Sequence, residues 1–356
     1  MSRSRDIASF AEKIVTPNYK PLIINGDMQV AQRATSVASV TSPGYLTVDR
    51  FHINIDTMGT WTISQADDAP TGSGFQHSLK LDCTTADASP AAGDNVTINT
   101  RLEGQDLQLF KKGTSSAEKF TVSFWVKATK TGTHILELDD NDNGRTIGKS
   151  YTIDSSDTWE KKVLTFDADT TGAFGNDNGA SLRLFWWVGA GSTYTSGTLG
   201  TSWASTVNAN RAVGQVNNAD STSNNWQITG VQLEVGEYNA DTIPPFQHES
   251  YGDSLVRCQR YFEKSEGTDR INGLGTHSGQ KCILSVFKIN KRATPTMVIF
   301  DGAGTANKLT TLDAGGTQTA GATVALLQTS TTKVTVFSSN GTNSGILYSY
   351  TADAEL

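Results

Sequence analysis

Residues 120–127 read FTVSFWVK, a run in which Phe120, Val122, Phe124 and Val126 alternate with Thr121, Ser123, Trp125 and Lys127. Successive side chains of an extended chain point to opposite faces, so this period of two gathers four apolar side chains on one side of a strand. The spacing predicts a strand over 120–128 that covers a core with that face and turns Trp125 to the other.

Runs of the same kind flank it. Leu46–Ile55, Trp61–Gln65, Ser78–Leu81, Asn95–Thr100, His134–Leu138, Ser150–Ile153, Glu160–Phe166, Leu182–Val188 and Trp226–Val235 are short apolar or alternating segments set between Gly, Ser, Thr, Asn and Asp. That is the pattern of an all-β sandwich, and with the first run there are strands enough for two packed sheets. Leu102–Phe110 is expected to be a helical insertion whose Leu102, Leu109 and Phe110 cover an open end. Residues 189–225 form a long tract whose large side chains are Tyr194, Trp203 and Arg211. Connections of such length are usually functional or disordered.

Pro244 and Pro245 end the last of these strands and precede an expected helix, Asp253–Glu263, with Leu255, Gln259 and Phe262 on one face. Beyond it, Cys282–Ile289, Thr296–Phe300, Ala322–Gln328, Lys333–Phe337 and Gly345–Tyr350 predict a smaller β-sandwich module. Its small size leaves apolar surface for sister subunits to cover. Near the N-terminus Ile7, Phe10, Ala11 and Ile14 recur at helical spacing after Asp6, so Ser4–Val15 is expected to be a short anchor helix that packs on another surface. The expected division is an anchor over 1–20, a sandwich over 21–249 and a β module over 250–356.

Composition narrows the function classes. The chain has 356 residues and a net charge of -7, and its 29 basic residues are dispersed, so nucleic acid is not an expected partner. The first residues, MSRSRDIASFAEKIV, lack the apolar core of a secretory signal and no apolar run reaches membrane-spanning length. Assembly in a cytoplasm, without membrane insertion, is expected. Cys83, Cys258 and Cys282 are odd in number and lack CxxC spacing, which argues against a disulfide framework and against zinc. Histidines occur singly and GxSxG, HExxH and P-loop spacings are absent, so no enzyme is expected. Carboxylates that converge from distant strands escape that argument, and Glu103, Asp106, Glu234 and Glu237 are the candidates for glycoside hydrolysis.

Two further features carry both a functional and a plain reading. In Asp139–Gly144, DDNDNG, the residues Asp139, Asn141, Asn143 and Gly144 fit the first half of a calcium loop, but Ser150 stands where its glutamate belongs. Between two strands the same residues make a polar hairpin turn, the favoured reading. Trp187, Tyr194 and Trp203 are candidate glycan contacts, because the C–H faces of pyranose rings stack on aromatic rings. Trp61, Trp125, Trp159, Trp186 and Trp226 lie in or beside strands and are assigned mostly to cores.

Several stretches resemble phage tail-fibre proteins: Leu22–Arg33 (LIINGDMQVAQR), Trp226–Phe246 (WQITGVQLEVGEYNADTIPPF), Cys258–Tyr261 (CQRY) and Lys291–Met297 (KRATPTM), with shorter matches at Ser123–Lys127 and Thr158–Lys162. The resemblance implies that the first stretch opens, and the second closes, a jelly-roll sandwich similar to carbohydrate-binding modules, and that a CQRY helix leads to a C-terminal module facing the receptor. Where the family has a single proline after the closing strand, this chain has Pro244 and Pro245, which implies a stiffer hinge. The same resemblance implies a virion protein, a homotrimer, docking on a tail or capsid protein through the N-terminus, and a structural calcium at Asn25, Asp27 and Glu234. The expected function is tail-fibre attachment to a host-surface polysaccharide, by avidity, through the loops Asp301–Gly304, Gly315–Gly316 and Asn340–Asn343. A capsid head fibre or decoration protein and a carbohydrate-active depolymerase are the alternatives.

Overall fold

A computed structural model describes residues 20–265, 275–277, 280–338 and 345–356; the expected anchor helix, Ser4–Val15, lies outside them. The chain divides into two compact units between Tyr251 and Gly252. Among the described residues no helix is long and apolar enough to cross a membrane.

The first unit contains β1 (Ser36–Val40), β2 (Gly44–Tyr45), β3 (His52–Asp56), β4 (Thr60–Ala66), β5 (Ser78–Thr85), β6 (Asn95–Glu103), β7 (Phe120–Ala128), β8 (Gly132–Asp140), β9 (Arg145–Ile153), β10 (Glu160–Phe166), β11 (Ala180–Ala190), β12 (Ala204–Ser205) and β13 (Asn225–Val235). They form two antiparallel sheets, ordered β1-β4-β5-β13-β7-β10 and β12-β9-β8-β11-β6-β3-β2. The chain repeatedly crosses from one sheet to the other, winding them into a jelly-roll sandwich. Phe120, Val122, Phe124 and Val126 of β7 are fully buried between the sheets, facing Leu182, Leu184, Trp186 and Val188 of β11. Trp61 and Trp226 fill the same layer. Trp125 lies half-buried on the outer side, as the alternation requires, against Gly230. Gly230 has φ +62, and a Cβ there would come within 2.7 Å of the Phe75 ring.

The stretches Leu22–Arg33 and Trp226–Phe246 meet within the sandwich. The Gly26 carbonyl accepts Val231 N–H at 2.8 Å, and a Cβ on Gly26 would stand 2.2 Å from the Val231 carbonyl oxygen. Only glycine fits that close approach.

Some elements differ from the sequence expectations. Leu46–Ile55 is not one strand: residues 46–51 make a bend in which Arg50 has φ +71 and Val48 and Phe51 enter the core. The insertion after β6 is a pair of 3-10 turns, Gly104–Asp106 and Gln108–Phe110. Their tighter repeat buries Leu107 and Phe110 and leaves Leu109 37% exposed, so Leu109 does not cover the sandwich end.

Two helices complete the description, α1 (Ser192–Thr195) in the long tract and α2 (Tyr251–Gln259) after the prolines. The second unit holds β14 (Phe262–Lys264), β15 (Gly275–His277), β16 (Gln280–Val286), β17 (Thr296–Phe300), β18 (Lys308–Leu312), β19 (Gln318–Thr329), β20 (Lys333–Ser338), β21 (Gly345–Leu347) and β22 (Ser349–Asp353). Its sheets are β14-β22-β17 and β15-β16-β20-β19-β18-β21, packed over Ile299, Leu309, Val334, Val336 and Tyr350. The expected helix to Glu263 stops at Gln259, because Phe262 and Glu263 pair with β22.

The CQRY and KRATPTM stretches meet in a buried network. Lys291 Nζ donates to the Gln259 carbonyl at 2.5 Å and to Glu263 Oε2 at 2.6 Å. Glu263 also accepts the Lys288 N–H and, at 2.7 Å, the Tyr350 hydroxyl. Arg292 donates to the Ala354 and Glu355 carbonyls, both at 2.9 Å.

One buried histidine makes the sandwich sensitive to acid. His134 is inaccessible to solvent, with Nδ1 3.2 Å from the Gly132 carbonyl and Nε2 3.2 Å from Asn218 Nδ2, contacts that a neutral ring satisfies. Burial pushes its pKa down to about 4. Its unfolded value is near 6.5, so the native state binds fewer protons between these values, and stability present above about 6.5 is lost as pH falls toward 4. The melting temperature should therefore drop across that interval, by the equivalent of about 3 kcal/mol from His134 alone. In His134→Gln the acid-side slope should flatten, as read by calorimetry from pH 7 to pH 4.

Candidate functional site

The outer face of the seven-stranded sheet is built from the residues that alternate with the core. Cross-strand pairing sets them in rows. His52 of β3 faces Asn99 of β6, Asn99 faces Phe185 of β11, and Phe185 faces Glu137 of β8. One row along stand Asn54, Thr97 and Trp187; on the other side stand Arg101, Arg183 and Asp139. Together with Asp56 and Asn95, the residues of these rows on β3, β6 and β11 floor a cleft of about 290 Å³.

The long tract 189–225 supplies the wall. It folds back over β8 and β11, with Ala212 N–H donating to the Tyr194 carbonyl at 2.9 Å and Ile135 N–H to Gln215 Oε1 at 2.8 Å. Ile135, Trp187 and Ala212 make a small apolar cluster under it, flanked by Tyr194 and Leu199. Arg211 pins the wall to the sheet: Nε donates to Glu137 Oε1 at 2.8 Å and Nη2 to Oε2 at 2.9 Å, while Trp187 Nε1 donates to Oε2 at 3.1 Å. Burial works against the Arg211 charge, but Glu137 outweighs it and raises the guanidinium pKa. Such a two-pronged pair fixes direction as well as distance.

At the other side of the floor, Asn99 Nδ2 lies 3.3 Å from His52 Nδ1 and Arg101 Nε donates to Asn99 Oδ1 at 3.1 Å. Asn54 Nδ2 donates to Asn95 Oδ1 at 2.7 Å. Burial, with Arg101 alongside, lowers the His52 pKa to about 4, so the ring is neutral at ordinary pH.

Of the aromatic candidates, Tyr194 and Trp187 come together, their ring centroids 5.1 Å apart, and both line the cleft. Trp187 is only 2% exposed, so it supports the floor and offers no open ring face. Trp203 does not line the cleft: its Nε1 donates to the Asp167 carbonyl at 2.8 Å and its ring packs beside Phe120. Sequence reasoning missed Asn54, Asn95, Thr97, Asn99, Arg101, Arg183 and Phe185. The available signal was the polar half of the alternation in HINID and NVTINTR.

The remaining candidates have other partners. Asn25 spends both ends of its amide on the opening turn, Nδ2 donating to the Val30 and Asp49 carbonyls and Oδ1 accepting Val30 N–H at 2.9 Å. Asp27 accepts Gln29 Nε2 at 2.8 Å and Glu234 accepts Gln232 Nε2 at 2.9 Å. Among the described residues no three His, Cys, Asp or Glu side chains are grouped to hold a metal ion. Glu103 bonds Gln105 and Glu237 pairs with Lys119; Glu103, Asp106, Glu234 and Glu237 all lie outside the cleft lining.

DDNDNG forms the β8–β9 hairpin turn, with Asp140 Oδ1 accepting the Asp142 and Asn143 N–H groups at 3.1 Å. The cation beside it is the chain's own. Buried Lys112 reaches Asp140 at 2.5 Å, Asp169 at 3.0 Å and the Thr171 and Gly172 carbonyls at 3.0 and 2.7 Å.

The fold and the cleft thus define a jelly-roll β-sandwich with a walled groove on one sheet face. No protein-family model and no curated protein matches the sequence. Among solved structures, the chain is similar to the enzymatically active domain of tailspike protein 4 of bacteriophage CBA120, with 14% identity over 60% of this chain and 21% of that one and a TM-score of 0.32. It spans about a fifth of that protein's length. It is similar also to a Bacteroides thetaiotaomicron protein described as sugar binding, at 13% identity over 61% of this chain and 100% of that one, TM-score 0.33. A third is the family 11 carbohydrate-binding module of the Clostridium thermocellum cellulase Lic26A-Cel5E, at 9% identity over 57% and 98%, TM-score 0.28.

Removing the internal cation should be costly. Lys112→Met leaves Asp140 buried without its counter-charge, and unfolding in guanidinium chloride should show a loss of about 3–5 kcal/mol. Adding Asp140→Asn to Lys112→Met should recover part of it.

Proposed function

We propose that this chain is a structural protein of a phage virion, a tail-fibre subunit that attaches the particle to a host-surface glycan without catalysis. The cleft carries the reading. Asn54, Asn95, Thr97 and Asn99 present amide and hydroxyl groups from rigid strands, with Tyr194 at the wall. Sugars need this combination of hydrogen-bonding partners for hydroxyls and an aromatic surface for C–H faces. Among the described lining residues Asp56 is the only carboxylate, whereas glycoside hydrolysis generally uses two.

The tail-fibre part of the reading rests on the sequence stretches that resemble that family, two of which meet in the Lys291–Glu263 network. In this reading the N-terminus docks on a tail or capsid protein, three copies associate, and no cofactor takes part. The second unit has apolar surface for that association, with Leu284 and Val286 on β16 and Leu326 and Leu327 on β19 all exposed.

Fluorescently labelled protein should bind host cells, and Tyr194→Ala should weaken that binding at least tenfold with unchanged melting temperature. Equal binding by Tyr194→Ala would remove the cleft from the reading, and reducing ends released from host polysaccharide would make the protein an enzyme. Light scattering on the full chain should give three times the monomer mass, and Val286→Lys should lower it.

A further inference from the structure

The floor of the cleft is not a set of bare aromatic platforms. Phe185 has the guanidinium groups of both Arg183 and Arg211 over its ring, each 5.5 Å from the centroid. Arg211 also covers Trp187 at 5.3 Å. A ligand on this floor therefore meets N–H donors held over the rings, in addition to the amides of the neighbouring strands.

The charges along the cleft are sorted. Three guanidiniums, those of Arg101, Arg183 and Arg211, line it together with the one carboxylate, Asp56. Arg211 is engaged at both prongs by Glu137 from beneath. Arg101 and Arg183 are direct cross-strand partners, and two like charges in that relation repel. One carboxylate in their row, Asp139, reaches Arg183 Nη2 at 2.5 Å. The Nε of Arg183 is buried and has no hydrogen-bond partner. Asp56 stands opposite Asn95, six residues along β6 from Arg101, or about 20 Å at strand rise. The groove thus has a cationic end and an anionic end roughly four sugar rings apart.

We propose that the cleft takes an acidic glycan, and that Arg101 and Arg183 hold a carboxylate of one of its sugar residues. This rests on the cleft being the glycan site. A carboxylate between the two guanidiniums accepts from planar donor forks, which fix its direction as well as its distance. Glu137 and Asp139 hold Arg211 and Arg183 in place before the ligand arrives.

The test is affinity electrophoresis of the full chain in gels containing polygalacturonate, alginate, hyaluronan or polysialic acid, each run beside its carboxyl-reduced form, with dextran, mannan and galactan as neutral polymers. Retardation by at least one acidic polymer, weakened tenfold or more by carboxyl reduction and by added salt, is the expected result. Arg183→Met and, separately, Arg101→Met should abolish the difference between the acidic polymer and its reduced form, with a cooperative thermal transition showing that each variant is folded. Arg183→Lys should keep part of it. Equal retardation by acidic and reduced forms, or by neutral polymers alone, overturns the acidic preference and leaves the glycan cleft standing. Retardation by none of these polymers overturns the cleft as a glycan site, and the proposal with it.

Discussion

The period of two along β11 is the constraint from which the first unit follows. Leu182, Leu184, Trp186 and Val188 belong to the sandwich core, so Arg183, Phe185 and Trp187 have to stand on the opposite face. A slip of one residue would exchange the two sets, burying a guanidinium and exposing a tryptophan core. β11 lies between β6 and β8, which places its outward side chains at the centre of the sheet with polar rows on one side and Glu137 and Asp139 on the other. Packing therefore fixes the outer face: the harder the inner face is held, the more closely defined are the outer rows. The irregular register between Trp187 and Gly189 falls where the wall begins, a common place for a strand to be bent beside a site.

Several charges inside this fold are paired. Lys112 with Asp140 and Asp169, Arg211 with Glu137, and Lys291 with Glu263 are each brought inside with their partners and further hydrogen bonds. Desolvation cancels much of what such pairs gain by attraction, so their contribution is chiefly to specify one arrangement. For Lys112 that arrangement is a turn and two loops; for Arg211 it is the position of the wall over the sheet. Lys291 does the same where α2, β14 and the start of the 291–297 stretch come together.

How much of this was legible in the sequence depended on whether the signal was local. The runs over Phe120–Ala128 and Glu160–Phe166 have the bounds expected of them, the first because its apolar and polar positions keep a strict period. Leu46–Ile55 misled because Val48, Phe51, Ile53 and Ile55 are all buried although Arg50 breaks the strand, and burial without periodicity does not reveal a bend. At the site, Trp187 and Tyr194 were visible as large aromatics in or near a loop. Arg183 and Asn99 were not, since each is an ordinary polar residue on the outer face of a strand. What makes them a site is the adjacency of β3, β6 and β11, which are far apart in sequence and joined only by the sheet order. Trp203 illustrates the converse, a conspicuous residue whose neighbours, Phe120 and Lys112, make it part of the sandwich edge.

The C-terminal loops expected to meet the receptor differ from the cleft in where their polar groups point. Asn340–Asn343 lies outside the described residues. The other two, Asp301–Gly304 and Gly315–Gly316, fall within one turn used twice, at Asp301–Thr305 and Asp313–Thr317: an Asp Oδ1 accepts the N–H groups two and four residues on, and a glycine at φ +83 closes it. They are joined by β18, so they lie at opposite ends of that strand and cannot form a common tip. Their polar groups are, moreover, largely directed at each other. A turn that satisfies its own donors and acceptors has little left to offer a ligand. Recognition by the broad face of a rigid sheet also costs less ordering on binding than recognition by loops, which favours weak contacts repeated over several copies.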